Sequence, residues 1–204
     1  MGLRILVFGD SITWGYYDKN GGWVEKLKNL YLDEELIHPF YNLGVSGNTT
    51  EDLVERLEFE VLQRKKKHDV IIIFQIGLND SAITVEKNDF WVKKENFREN
   101  IKEIIGISKN LSKRFIFLGL TPVDEDMTQP WEGMATYKNS NIKEYNGILK
   151  SLCEENNVPF VRILEEWLTS DYKKLLEDGL HPNKDGHKKI FETVKNFITE
   201  NKII

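Results

Sequence analysis

Short, unbroken runs of apolar residues recur along the whole chain, and they constrain the fold more than any other feature. The strongest run is Val-Ile-Ile-Ile-Phe at residues 70–74, which ends shortly before Gly77. Apolar runs without polar alternation are typical of strands buried on both faces, as in a parallel sheet covered by helices. We therefore predict five strands of this kind, at residues 3–8, 40–43, 70–74, 115–118 and 158–163.

The segments between these runs carry apolar residues at helical spacing. In the clearest case, Phe97, Ile101, Ile104 and Ile105 fall on one side of a helix. Similar stripes occur at residues 23–31, 53–61, 142–152 and 190–198. Each stripe predicts a helix side that faces the core. Strands that alternate with helices indicate an α/β fold, here a three-layer α/β/α sandwich around a five-stranded parallel sheet.

Composition and charge narrow the function classes. The chain has 204 residues, of which 40% are apolar and 30% charged, as expected for a single globular domain spanning residues 1–204. The formal net charge of −5 argues against nucleic acid as the main partner, because phosphate binding needs a basic surface. The lone Cys153 cannot form an internal disulfide, and the apolar start at residues 5–8 is too short for a signal peptide or a membrane span. We therefore expect a soluble cytoplasmic protein without membrane insertion.

Polar and glycine-containing clusters follow the predicted strands. Residues 9–13 (Gly-Asp-Ser-Ile-Thr) come after the first strand, and residues 42–48 overlap the end of the second. Residues 77–80 (Gly-Leu-Asn-Asp) follow the third strand, and residues 178–182 (Asp-Gly-Leu-His-Pro) lie beyond the fifth. Ligands of open parallel sheets bind outside the carboxyl ends of the strands. We therefore expect the four clusters to meet at one edge of the sheet.

Five residues in these clusters have the chemistry that acyl transfer requires, namely a nucleophile, a base, a group that orients the base, and donors for an oxyanion. Ser11 lies where a strand is predicted to turn into a helix, so its hydroxyl can project at the sheet edge. His181 is a candidate base because an imidazole exchanges protons near neutral pH, and Asp178 lies three residues before it. Gly47 has no Cβ and can bring its N–H close to a ligand, while the Asn79 amide is a neutral donor.

Each of these clusters also has an ordinary interpretation. Ser11 could cap a helix, Gly47 and the nearby Gly44 could be turn residues, and Asp178 with His181 could lie in a surface turn. Their joint order, with each cluster just past a predicted strand or near the end of the chain, is hard to explain by turns alone. The order therefore favours the catalytic interpretation.

The same four clusters resemble the sequence blocks of the SGNH hydrolases, also called GDSL esterases and lipases. The resemblance covers nearly the whole chain, and Ile12 stands where the family usually has Leu. It implies a flavodoxin-like sandwich with Ser11 as nucleophile, His181 as base and Asp178 as the orienting acid. It also implies an oxyanion hole formed by the N–H groups of Ser11 and Gly47 and the side chain of Asn79. No metal or organic cofactor is implied.

Local context favours some residues over others of the same type. Gly44 is the alternative to Gly47 as an oxyanion donor, and Gly47 is favoured because a helix is predicted to begin just after it. His38, His68 and His187 are not expected to be catalytic, because they fall at a strand entrance, on a predicted surface and inside the last helix. No cluster of His, Asp and Glu has the spacing of metal ligands.

Large side chains near the clusters are candidate substrate contacts. Two long stretches lack periodicity, at residues 80–95 and 121–137, and long loops in a compact domain are often functional. Trp131 and Met134 lie in the second stretch, and Trp14 follows the nucleophile. We predict that these three residues, together with Asp10, contact the substrate.

Two questions of function stay open in the sequence. A small soluble acetyl ester, such as an acetylated sugar, is the expected substrate, while a lysophospholipid or an acyl thioester is the alternative within the same family. A flavodoxin-like module that binds FMN or a nucleotide is the alternative from a different class. The loop at residues 9–15 lacks both Gly-x-Gly-x-x-Gly and Gly-x-x-x-x-Gly-Lys-Ser/Thr, so the enzyme is favoured.

Overall fold

The computed structural model describes residues 2–31 and 38–204. The strands are β1 (Leu3–Gly9), β2 (Phe40–Gly44), β3 (Asp69–Gln75), β4 (Ile83–Thr84), β5 (Asp89–Phe90), β6 (Arg114–Leu118), β7 (Ala135–Thr136) and β8 (Phe160–Val161). The helices are α1 (Ser11–Trp14), α2 (Gly22–Tyr31), α3 (Thr50–Lys65), α4 (Lys94–Leu111), α5 (Asn139–Glu155), α6 (Ile163–Leu168) and α7 (Lys184–Glu200). A 3₁₀ helix covers Tyr172–Leu175.

Five of these strands form one parallel sheet in the order β2-β1-β3-β6-β8. The central strands β1 and β3 are buried on both faces, which accounts for the unbroken apolar runs at residues 5–8 and 71–74. The flanking helices fall into two groups, since α3 packs on α4 and α4 on α5, whereas α2 packs on α7. The predicted α/β fold with a five-stranded parallel sheet is confirmed.

The fifth strand is shorter than the sequence predicts. Of the run at residues 158–163, only Phe160–Val161 joins the sheet, where it pairs with the end of β6. Pro159 has no N–H to donate to a ladder, so this run is suited only to the edge of a sheet. Ile163 and Leu164 are buried as the first residues of α6 instead. One apolar run therefore contains both a strand and a helix start, which periodicity cannot separate.

The two aperiodic stretches contain a second sheet that the sequence does not predict. Strands β5, β4 and β7 form an antiparallel sheet in that order, and each strand has two residues. Strands this short show no alternation in a sequence. The pairing of β4 with β7 joins the segment that follows β3 to the segment that follows β6, and it brings both beside the carboxyl edge of the main sheet.

Side-chain hydrogen bonds fix the starts of α3 and α7, which lie next to this edge. Thr49 precedes α3, and both its N–H and its hydroxyl donate to Asp52, at 2.7 and 2.8 Å. Asn183 precedes α7, and its Oδ1 accepts from the N–H groups of Asp185 and Gly186. A cap of this kind contributes about 1 kcal/mol to stability. The loops just before each helix are therefore held in place.

Buried apolar side chains from the sheet and the helices form one cluster. Its largest members are the two fully buried tryptophans, Trp23 and Trp167. In the part of the chain that the structure describes, no helix combines the length and the apolar character needed to cross a bilayer.

Candidate active site

Four segments of the chain meet at the carboxyl edge of the main sheet. Ser11 follows β1, Gly47 follows β2, Asn79 follows β3, and His181 lies in the turn before α7. All four line one cavity of about 250 Å³. The parallel topology thus brings together residues that are up to 170 positions apart in the sequence.

Ser11, His181 and Asp178 form a chain of hydrogen bonds. The Oγ of Ser11 lies 2.9 Å from His181 Nε2, and His181 Nδ1 lies 2.8 Å from Asp178 Oδ2. The other carboxylate oxygen, Oδ1, accepts from the backbone N–H groups of Leu180 and His181, at 3.0 and 2.7 Å. Because an ionised carboxylate can only accept, the Nδ1 atom carries the proton and Nε2 is left to accept from the serine hydroxyl. This arrangement can remove the serine proton.

Hydrogen bonds to the Asp178 carboxylate favour its ionised form. Burial raises the pKa of Asp178, but hydrogen bonds from the side chain and N–H of His181 together outweigh burial and lower the pKa to about 2. Trp131 adds a further donor, since its Nε1 lies 3.1 Å from the same Oδ2 atom. His181 is 4% exposed, and the centroid of its ring lies 4.8 Å from that of Tyr16 and 5.5 Å from that of Trp131. A negative charge in this position would stabilise an imidazolium formed at His181.

Ser11, the candidate nucleophile, lies at the first turn of α1, which Asp10 caps. Asp10 Oδ1 accepts from the N–H of Ile12 at 2.9 Å, and burial raises the pKa of Asp10 to about 6. The carboxylate faces the helix start and does not line the cavity, so the geometry does not support its predicted contact with substrate. Gly9 allows the sharp turn from strand to helix, because a Cβ there would lie 2.1 Å from Thr13 Oγ1.

Gly44, the last residue of β2, and Gly47, three residues later, have different environments. The Gly44 N–H donates to Asn42 Oδ1 at 3.0 Å, and a Cβ at this position would lie 2.3 Å from the nitrogen of Trp14. Gly47 has a φ of +80°, lines the cavity, and its N–H makes no hydrogen bond within the described residues. Arg56 of α3 holds the adjoining turn by donating to Asn48 Oδ1 and the Leu43 carbonyl. Of these two glycines, Gly47 is therefore the one that lines the cavity and whose N–H has no acceptor among the described residues.

Asn79 is buried and lines the cavity, and its amide makes two hydrogen bonds. Its Nδ2 donates to the carbonyl of Asn48 at 2.9 Å, and its Oδ1 accepts from the hydroxyl of Tyr137 at 3.0 Å. An amide nitrogen carries two hydrogens, so one of them is left for a ligand.

The cavity wall is mostly apolar. The predicted contacts Trp131 and Met134 line it, together with Trp91, Ala135 and Leu180. Trp14 does not line this cavity. It is exposed and borders an adjoining hollow of about 270 Å³, next to Tyr16 and Val45.

Two cavity residues have no specific signal in the sequence. Trp91 comes directly after β5 and Tyr137 directly after β7, so both belong to the two aperiodic stretches. The length of these stretches indicates a function, but the residues that face the cavity depend on the pairing of β4 with β7.

The remaining histidines lie outside the cavity. His187 is buried in α7, and its Nε2 donates to the carbonyl of Tyr16 at 2.8 Å. It thus helps to hold the aromatic ring that packs on His181. Within residues 2–31 and 38–204, no group of three or more His, Cys, Asp or Glu side chains is arranged to bind a metal ion.

A buried carboxylate beside Asn79 anchors the start of α3. The N–H of Thr50 donates to both carboxylate oxygens of Asp80, at 3.1 Å to Oδ1 and 3.2 Å to Oδ2. The hydroxyl of Thr50 also donates to Oδ1. Burial raises the pKa of Asp80 to about 7. Because this pKa exceeds the ordinary value of 3.8, the folded protein holds this proton more tightly than the unfolded chain between about pH 4 and 7. The free energy of unfolding therefore falls as pH rises through this range.

We expect Asp80→Asn to remove this contribution to the pH dependence of stability. One proton contributes a slope of at most about 1.4 kcal/mol per pH unit, so the stability of the variant should vary less between pH 4.5 and 7.5. Urea unfolding at four pH values measures the slopes. Asp69→Asn is the matched control, because it makes the same side-chain substitution at an exposed site. Equal slopes for wild type and Asp80→Asn would contradict the expectation.

The chain also matches known proteins in sequence and in structure. The sequence model of the GDSL-like Lipase/Acylhydrolase family matches residues 5–194. An acetylxylan esterase of Geobacillus stearothermophilus is 26% identical over 208 residues, which cover 91% of this chain and 89% of that protein. The crystal structure of the acetylxylan esterase Axe2 from the same organism has a TM-score of 0.74 at 23% identity, and the match covers 96% of this chain and 93% of that one.

A further relative, the uncharacterized lipoprotein YqeF of Bacillus subtilis, is 28% identical over 197 residues, which cover 86% of this chain and 76% of that protein. The family match spans nearly the whole chain and includes the serine, the glycine, the asparagine and the histidine that line the cavity. The chain therefore belongs to the GDSL-like lipase/acylhydrolase family, and it is a carboxylic ester hydrolase.

Proposed function

We propose that this hydrolase cleaves esters of small acyl groups, with acetyl esters preferred, through an acyl-enzyme formed on Ser11. The observation that carries the proposal is the chain of hydrogen bonds from Ser11 through His181 to Asp178, which lies at a small apolar cavity. A serine hydroxyl becomes a competent nucleophile when an adjacent base takes its proton and a third group orients that base.

The proposed reaction has two similar halves. His181 Nε2 takes the proton of Ser11 as Oγ forms a bond to the ester carbonyl carbon, and the carbonyl electron pair moves onto oxygen. As the tetrahedral intermediate collapses, the bond to the alcohol oxygen breaks and Nε2 returns the proton to that oxygen. Water then attacks the acyl-enzyme in the same manner, which releases the acid and restores Ser11. Asp178 stays ionised throughout and stabilises each imidazolium.

Three donors are proposed to stabilise the oxyanion: the N–H groups of Ser11 and Gly47 and the Nδ2 of Asn79. The open N–H of Gly47 supports this set, and the engaged N–H of Gly44 argues against the alternative glycine. The Ser11 N–H lies in the first turn of α1, where unpaired N–H groups favour negative charge. Loss of one such donor raises a barrier by about 2.7–4 kcal/mol.

The size and polarity of the cavity support a short acyl group. At about 250 Å³ the cavity lies below the range of roughly 300–1,000 Å³ that is usual for sites of drug-sized ligands. Trp131 and Met134 are proposed as contacts of the acyl group, because both line the cavity. The relative named acetylxylan esterase supports an acetylated sugar as the substrate class.

We expect initial rates on 4-nitrophenyl esters to fall with acyl length beyond the shortest chains. Each CH₂ that leaves water contributes about 0.8 kcal/mol, but a chain that exceeds the cavity loses this gain and must displace its walls. The measurement is kcat/KM from acetate to dodecanoate, with Ser11→Ala as the control for background hydrolysis.

Different outcomes of this series would favour the alternatives. A kcat/KM that rises steadily to dodecanoate would contradict the acetyl preference and point to lysophospholipids. A thioester cleaved much faster than its oxygen ester would point to a thioesterase. Hydrolysis that is unaffected by Ser11→Ala would remove the proposed mechanism altogether.

We also propose that the protein acts in the cytoplasm on a small-molecule ester. The only cysteine, Cys153, is a buried free thiol, as is usual in a reducing compartment. The relative YqeF is named a lipoprotein. The proposal of a cytoplasmic location therefore applies to this chain and not to that relative.

A further inference from the structure

The amide of Asn79 makes two hydrogen bonds, and the one with Tyr137 involves a residue outside the four sequence clusters. Its Nδ2 donates to the backbone carbonyl of Asn48, and its Oδ1 accepts from the hydroxyl of Tyr137, at 2.9 and 3.0 Å. Tyr137 lies 58 residues away from Asn79 along the chain, in the segment that follows β7. Both residues line the same cavity.

These two contacts fix which way the amide points. A backbone carbonyl can only accept, so the atom that faces Asn48 must be the nitrogen. The oxygen then faces Tyr137, whose hydroxyl donates to it. The second hydrogen of Nδ2 has no partner among the described residues. It is therefore the hydrogen of this amide that is available to an oxyanion. An amide turned by 180° would present its oxygen to the developing negative charge instead.

Tyr137 is well suited to hold this orientation. It is 2% exposed, its N–H donates to the carbonyl of Thr128 at 3.0 Å, and its own carbonyl accepts from the Thr128 hydroxyl at 3.2 Å. Burial raises the pKa of Tyr137 above its ordinary value, so the phenol stays a donor at every working pH. The hydroxyl therefore has a fixed position and a fixed role.

We propose that Tyr137 is a positioning residue that orients the Asn79 amide as an oxyanion donor. This inference rests on the proposed function, in which Asn79 is an oxyanion donor. Tyr137 acts through Asn79 and not through contact with the reacting atoms. Loss of the hydroxyl leaves a buried Oδ1 without its donor and lets the amide turn. The hydrogen bond also polarises the amide, which strengthens its remaining N–H as a donor.

The test compares Tyr137→Phe, Asn79→Ala and the double variant on 4-nitrophenyl acetate. Loss of a whole oxyanion donor reduces kcat by about 10²–10³-fold, so Asn79→Ala should fall in this range. We expect Tyr137→Phe to reduce kcat by about tenfold while KM changes less than about twofold, because the interaction acts mainly in the transition state. The double variant should match Asn79→Ala, since Tyr137 has no further effect once the amide is gone.

Tyr145→Phe is the matched control for the loss of a buried hydroxyl. Tyr145 is fully buried and donates to the Val92 carbonyl, and it does not line the cavity. It should keep a kcat close to that of wild type, and unfolding midpoints of both phenylalanine variants show whether packing is retained. Inhibition by methylboronic acid gives a second readout, because its tetrahedral adduct on Ser11 uses the same donors. Tyr137→Phe should weaken this inhibition about tenfold.

Three results would overturn the inference: a wild-type kcat for Tyr137→Phe, a wild-type kcat for Asn79→Ala, or a further tenfold loss when Tyr137→Phe is added to Asn79→Ala. A failure of the proposed function is distinguishable from these, because it would appear as turnover retained by Ser11→Ala. If Ser11→Ala is inactive and Asn79→Ala is slow while Tyr137→Phe is unaffected, only the role of Tyr137 is wrong.

Discussion

Ser11→Ala is expected to lower kcat on 4-nitrophenyl acetate by about 10⁴–10⁶-fold, the range seen when a nucleophile that works with a base and an acid is removed. Alanine lacks the Oγ atom that lies 2.9 Å from His181 Nε2, so no acyl-enzyme can form. The fold should be unaffected, because Asp10 and not the serine hydroxyl caps α1. A serine-directed phosphonate followed by mass spectrometry should label wild type once, at Ser11, and should leave the variant unlabelled.

Ser46→Ala is the matched comparison for this variant. The Ser46 side chain also lines the cavity, but it makes no hydrogen bond to the imidazole. We expect this variant to lose less than about tenfold in kcat and to take up the phosphonate normally. Turnover of Ser11→Ala within about tenfold of wild type, or a phosphonate adduct on another serine, would contradict the assigned nucleophile.

Asp178→Asn is expected to lower kcat by about 10⁴-fold, as in serine hydrolases whose triad carboxylate is made neutral. The Oδ1 atom accepts from two backbone N–H groups, so the oxygen of an asparagine should stay there. The NH₂ group would then face Nδ1, where it can only donate. The imidazole would be forced to carry its proton on Nε2, and it could no longer accept from Ser11. Rates on 4-nitrophenyl acetate under saturating substrate measure the effect.

The same substitution should have a defined effect on stability. The lowered pKa of Asp178 stabilises the folded state above the ordinary pKa of 3.8, and this contribution is lost as pH falls through the folded value of about 2. Asp178→Asn removes it, so its unfolding midpoint should be lower than that of wild type at neutral pH. Glu177→Gln makes an equal charge change at the neighbouring exposed position, and it should change neither kcat nor the unfolding midpoint by much. A kcat above about one tenth of wild type would exclude the assigned role.

The sequence determined the architecture and the general location of the site. The unbroken runs at residues 5–8 and 71–74 are short, rich in β-branched and aromatic residues and have no polar face, which favours strands covered on both sides. Parallel strands place their carboxyl ends at one edge, so the clusters that contain Ser11 and Asn79 had to lie near each other. The fifth run was less informative, because residues 158–163 are apolar whether they form a strand or the start of a helix.

Only the tertiary structure decided which atoms face the cavity. The sequence left Gly44 and Gly47 as alternatives, and the contacts of Gly44 with Asn42 and Trp14 separate them. The contacts of Trp131 with Asp178 and of Tyr137 with Asn79 come from a stretch without periodicity, and they depend on two-residue strands that pair over long distances in the chain. Local sequence patterns report the burial of whole segments. Hydrogen bonds between distant loops are set by how those segments pack, and no local pattern encodes them.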